Sequence, residues 1–140
     1  MSSIPVHTRR LCERALEAYC ARICPPTARH AVSIGYQIDR DCVTLLEWRP
    51  ICGIAGTRRS IAVAQLRWSF ARNDWRLYHR DSLQHWRRST RQPTSGSFID
   101  LLREVDADRS GVFWGRIDGK SLRWCSSKVR CEEYDVRYVL

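Results

Sequence analysis

Lysine is nearly missing from this chain: 2 of its 24 basic residues are Lys and 22 are Arg, set against 15 acids. No apolar run approaches the roughly 20 residues that a bilayer-spanning helix needs. No CxxC pair offers the spacing of a zinc ribbon or a redox couple. The stretch from Met1 to Arg10 lacks an uninterrupted apolar segment, and its arginines follow the apolar residues instead of preceding them, so no secretory leader is expected. GxSxG, HExxH, GxGxxG and Walker A patterns are absent, which removes the best-marked routes to acyl transfer, zinc proteolysis and nucleotide binding. These absences point to a cytoplasmic protein with no membrane partner, no metal and no cofactor. An enzymatic role is neither specified nor favoured.

The residues present describe a foldable chain. With 140 residues, 44% of them hydrophobic, and six Trp, five Tyr and three Phe, one domain can bury about two thirds of the surface its unfolded form exposes. The seven cysteines form an odd set. Cys20-x3-Cys24 and Cys125-x5-Cys131 are the close pairs, but neither has finger spacing, so buried or semi-buried thiols are expected.

Charge is unevenly placed. Residues 1–47 hold six Arg against five acids, and residues 92–140 hold eight Arg and Lys against eight acids. Between them, residues 48–91 hold ten Arg against Asp74 and Asp81, a net of +8 out of +9 for the whole chain. A field concentrated in this way attracts polyanions, of which nucleic acid is the commonest. A GC-rich genome accounts for Arg in place of Lys on a merely solvated face, but not for the clustering.

Periodicity supplies the elements. Leu11, Cys12, Ala15, Leu16, Tyr19, Cys20 and Ile23 recur at three- and four-residue steps, an amphipathic helix over 8–24 stopped by Pro25-Pro26. The period then falls to two. Val32 to Ile38, a turn at Asp39-Arg40-Asp41, and Cys42 to Trp48 read as a hairpin. Gly53 to Arg59 reads as an exposed loop carrying Arg58 and Arg59. A third strand, Ser60 to Phe70, points Ala62, Ala64, Leu66, Trp68 and Phe70 to the core and Gln65, Arg67 and Ser69 away. In Trp75 to Arg80, Trp75, Leu77 and His79 oppose Arg76, Tyr78 and Arg80; Leu83 to Arg88 adds a short strand. After a connector at 92–97, Ser97 caps a helix whose Phe98, Leu101, Leu102 and Val105 make one stripe. Val112 to Ile117, Asp118-Gly119 and Lys120 to Trp124 form a hairpin with a type I′ turn, and Tyr134 to Leu140 a last strand. The fold class expected is α+β: an antiparallel sheet of about five to seven strands with two helices packed on one face. The other face is left open, with Arg67, Arg76, Tyr78 and Arg80 on it.

Several stretches match a known pattern. Glu47-Trp48-Arg49-Pro50, Val63-Ala64-Gln65-Leu66-Arg67-Trp68, Trp75-Arg76-Leu77-Tyr78-His79-Arg80-Asp81 with Trp86 beyond, and above all Leu101-Leu102-Arg103-Glu104-Val105-Asp106-Ala107-Asp108-Arg109-Ser110-Gly111-Val112-Phe113-Trp114-Gly115 resemble the domain of unknown function 3024 family of uncharacterised bacterial proteins. The resemblance covers about residues 9–115. It implies one α+β domain over 1–115, with 116–140 as a C-terminal β extension of it. It carries no activity, cofactor or site residue.

Other motifs hold only part of the chemistry they resemble. Asp106-x-Asp108-x-Ser110-Gly111 copies the first half of a calcium loop, but Trp114 and Ile117 stand where positions 9 and 12 need oxygen ligands, so a polar helix-ending turn is expected, with Gly111 supplying its special backbone angle. His79-Arg80-Asp81 mimics a kinase catalytic loop without the partners that loop needs. His79 and His85 with Asp74 and Asp81 offer acid-base pairs only in principle. Cys52 beside Arg49 and Arg58 has cations to lower its pKa but no evident base.

What remains is Arg interleaved with aromatics. Guanidinium forks bind phosphates and flat rings stack on unpaired bases, so the expected site is a nucleic-acid-binding surface of Arg58, Arg59, Arg67, Arg76, Tyr78, Arg80, Arg87 and Arg88, flanked by Arg49 and Arg91. Trp68 and Trp75 are expected in the core, leaving Tyr78 and Trp86 as stacking candidates. The alternative uses the same basic face against an acidic protein, or the last strand for self-association by edge pairing. The sequence sets no oligomeric state.

Overall fold

The computed structural model describes residues 3–23, 33–50, 58–114, 116–117 and 120–121, with the backbone alone for 49, 50, 58 and the last four. Its elements are α1 (Val6–Ile23), β1 (Ser33–Asp39), β2 (Cys42–Pro50), β3 (Arg58–Ser69), β4 (Asp74–Arg80), β5 (Trp86–Arg88), β6 (Thr94–Ser95), α2 (Phe98–Ala107), β7 (Arg116–Ile117) and β8 (Lys120–Ser121). The first six strands form an antiparallel meander in the order β1-β2-β3-β4-β5, with β6 also paired to β4. β7 and β8 make a separate two-stranded ribbon. The fold is therefore the α+β class expected, with two helices over the sheet's core face.

Helix α1 begins two residues before the expected start, its first turn closed by the Arg9 N–H donating to Pro5 O at 2.8 Å. Cys12, Leu16, Tyr19 and Ile23 form its buried stripe, spaced four, three and four residues apart as a helix face requires. Leu11 was expected on that stripe but is 54% exposed, one position round the cylinder from Cys12. Helix α2 buries Phe98, Leu101, Leu102 and Val105, the stripe read from the sequence. These meet Val43, Leu45, Leu66, Trp68, Trp75 and Leu77 from the sheet in one core. At its centre Trp68, Trp75 and Phe98 stack edge to face, with centroids 5.2 and 4.9 Å apart, the arrangement that ring quadrupoles favour.

Four expectations are corrected. Arg58 and Arg59 belong to β3 and not to a loop. Ala62 does not face the core: the β2–β3 register jumps from Leu45↔Ala64 to Leu46↔Ala62, so Val63 is an extra residue on β3, and Val63 and Ala64 are both buried. A bulge of this kind switches the phase of alternation behind it. Phe70 lies in the β3–β4 turn and is exposed. Ser97 does occupy the N-cap of α2, but its hydroxyl makes no cap bond; Ser95 Oγ instead accepts the Ser97 N–H at 3.0 Å.

The border beyond β4 is assembled from two fragments. The Leu77 N–H donates to Pro93 O, and Leu77 O accepts the Ser89 N–H, so residues 90–92 loop out between β5 and β6. The connector at 92–97 thus contains a two-residue strand that composition did not mark. Residues 112–114 are not in a strand; they are tied to the end of α2. The Asp118-Gly119 turn and the 134–140 strand lie outside the described residues, as do Cys24, Cys52, Cys125 and Cys131. Cys12 is a buried thiol, and Cys20 and Cys42 are partly buried ones, as expected. Among the described residues, no helix is long and apolar enough to cross a membrane.

Candidate nucleic-acid interface

Directly opposed residues of an antiparallel sheet share a face, so the register fixes which side chains stand together. On the face away from the helices, Cys42, Arg67 and Arg76 form one row, and Thr44, Gln65, Tyr78 and Arg88 the next. Arg80 opposes Trp86, and Trp48 opposes Ser60. Of the expected site residues, Arg67, Arg76, Tyr78, Arg80 and Arg88 are thereby brought together. Three are not. Arg59 lies at a register position of the helix-bearing side, since it opposes Arg49 two places beyond the pair of buried Glu47 and half-buried Ile61. Arg87 opposes His79 on that same side, and its Nε donates to Asp81 Oδ2 at 2.9 Å. Arg58 opposes Pro50 with its side chain outside the described residues, as is that of Arg49. Arg91 is exposed in the looped-out 90–92 segment.

The electrostatics of this face are unusual in one respect. Arg67 and Arg76 face each other across β3 and β4, a placement that costs stability for like charges. Asp39 and Asp74 share the face, yet neither arginine makes an ion pair among the described residues. Arg67 is held in place otherwise. Its guanidinium lies over the Tyr78 ring, 4.0 Å from the centroid, and its Nε donates to Gln65 Oε1 at 2.6 Å. Gln65 Nε2 in turn donates to Thr44 Oγ1 at 3.2 Å. Arg76 has no such support: its Nε is buried without a hydrogen-bond partner. Arg80 sits over Trp86 at 5.1 Å and donates from Nε to Gln84 Oε1. The result is a set of guanidiniums, two of them oriented on rings, that make no ion pair among the described residues.

Trp48 was missed as a face residue. It is 37% exposed and leans over Gly35, where an added Cβ would lie 3.9 Å from Nε1. Counting by twos from Cys42 through Thr44 and Leu46 places it there, but Leu46 and Trp48 are as apolar as the core-facing Val43 and Leu45, which conceals the alternation. Tyr78 differs from expectation in that Arg67 already covers one side of its ring.

The competing motifs resolve into structural roles. Asp108, fully buried, ends α2 in the left-handed conformation. Its Oδ1 accepts the Phe113 N–H at 3.0 Å and its Oδ2 the Trp114 N–H at 2.9 Å. Asp106 points elsewhere, pairing with Arg22 Nη2 at 3.1 Å. The two carboxylates of the calcium-like motif thus serve different ends of a polar helix-ending turn, and Gly111 does adopt a positive φ of 75°. Asp81 organises the β4–β5 turn, with Oδ1 accepting the Leu83 and His85 N–H groups. Together with Arg87 these hold its carboxyl at about 2, low for a proton acceptor at neutral pH. The rings of His79 and His85 meet no carboxylate among the described residues; His79 packs on Phe113.

Residues 4–115 match the family described as a domain of unknown function (DUF3024), beginning at Ile4 where the motifs marked a start near Arg9. No curated protein and no solved structure matches the chain.

Proposed function

The chain belongs to the domain of unknown function 3024 family, a grouping whose description names no activity, and from that premise we propose that it is a polyanion-binding module whose ligand is nucleic acid. The observation that carries this reading is the opposed Arg67–Arg76 pair, which makes no ion pair among the described residues and is flanked by Arg80 and Arg88. Planar forks in this state match phosphate oxygens, and a phosphate between them would relieve a repulsion that the fold otherwise bears. A cytoplasmic setting suits the free thiols of Cys12 and Cys42.

The test compares two charge reversals. Arg76→Glu on the open face and Arg103→Glu, highly exposed on α2, change the net charge equally. In fluorescence anisotropy with a labelled oligonucleotide, Arg76→Glu should weaken binding about tenfold or more, while Arg103→Glu should leave it within about twofold. Equal losses, or no binding by the unaltered protein even at low salt, would overturn the reading.

A further inference from the structure

We infer that the nucleic acid is single-stranded, its bases stacking on Trp48 and Trp86; this rests on the polyanion reading above. Breadth is the first argument. Five strands spaced about 4.8 Å apart span roughly 19 Å between the outer strand axes, whereas the major groove of a duplex is about 12 Å wide and admits a helix or a two-stranded ribbon. A duplex could touch this face only through its backbone and would leave the rings idle.

The rings supply the second argument. Trp48 stands on the open face at β2 and Trp86 at β5, three strand spacings or roughly 14 Å apart across the sheet. Arg80 and Arg67 lie between them in strand order. Trp48 carries an indole exposed above Gly35, a position with no side chain to cover it. Trp86 and Tyr78 are each backed by a guanidinium on one side, from Arg80 and Arg67, and a guanidinium plane is itself a stacking surface for a base. Phosphates would follow Arg67, Arg76 and Arg88 while bases lie on the indoles.

Of the two amides that the register places on this face, Gln37 lies on the outer strand β1, outside the span between the indoles, and Gln65 is already engaged. Gln65 donates to Thr44 and accepts from Arg67, so binding should be tolerant of sequence, as stacking platforms are.

The experiment uses the full chain with three probes at equal ionic strength: a 12-nucleotide oligo(dT), the same length of duplex, and heparin, which has charge but no bases. Variants are Trp48→Leu, Trp48→Phe and Trp86→Leu, with circular dichroism confirming the fold. The single strand should bind at least about tenfold tighter than the duplex. Each Leu variant should lose about tenfold for oligo(dT) and nothing for heparin, and Trp48→Phe should restore most of the loss. Equal affinity for all three probes, with no effect of the Leu variants, overturns the single-strand inference while leaving the charge reading intact. Failure to bind any probe overturns both.

Discussion

Asp108 shows how much one side chain can decide. A carboxylate with no exposure accepts two backbone N–H groups, while its own backbone sits at φ 45°, a conformation that few residues besides Gly, Asn and Asp tolerate. Asp108→Ala should cost about 3 kcal/mol in urea unfolding, because two buried donors lose a charged acceptor; Asp108→Asn, which keeps one acceptor and tolerates the angle, should lose roughly half of that. Asp81 gives a pH signature. Its folded carboxyl lies at about 2, below the ordinary 3.8, so its contribution is complete above about pH 4 and disappears as pH falls towards 2. Asp81→Asn should therefore be less stable than the parent above pH 4, with the gap in urea midpoint closing between pH 4 and 2. A gap unchanged across that range would refute this assignment. Cys12, pushed up to about 12 by burial, remains a protonated packing thiol. At this scale the sequence was a partial guide. The Asp106/Asp108 spacing was visible, but the use of each oxygen depends on a backbone angle that only the completed turn defines.

Among the elements, strand β3 departs most from simple alternation. The helical stripes of α1 and α2 were legible because every three- or four-residue step lands on one surface, and β4 alternates cleanly from Trp75 to Arg80. In β3 the same counting fails at Ala62. Small and β-branched residues run together from Ser60 to Ala64, so no polar residue marks the phase change that Val63 introduces. Removing that residue tests the account. Val63→Ala should cost about 2 kcal/mol, the loss of two buried methyl groups plus a small cavity. Deletion of Val63 should cost no more than about that, because without the extra residue Ala62↔Leu46 and Ile61↔Glu47 follow Leu45↔Ala64 as a regular ladder and Ile61 keeps its side. If deletion cost more than twice as much as Val63→Ala, Val63 would not be a residue in excess of the ladder.

The whole molecule separates its two surfaces by charge and packing. Core side chains converge under the helices, while the central arginines divide: Arg67, Arg76, Arg80 and Arg88 reach the open face, and Arg59 and Arg87 the other. The clustering in sequence predicted a patch, but it could not assign faces across a bulge or past the β4–β5 turn, where the phase of Arg87 depends on pairing with His79. Three phosphates neutralised by Arg67, Arg76 and Arg88 would make log affinity for a single strand fall by roughly 2 per decade of salt, at about 0.7 per contact. A slope near zero in an anisotropy titration would exclude that contact set. The splice at Leu77 also governs how neighbouring copies can meet. Because β5 and β6 are three and two residues long and kinked apart by residues 90–92, that margin presents no continuous ladder of vacant peptide groups. A strand from another molecule cannot zip along it, which denies fibril growth a template on that flank.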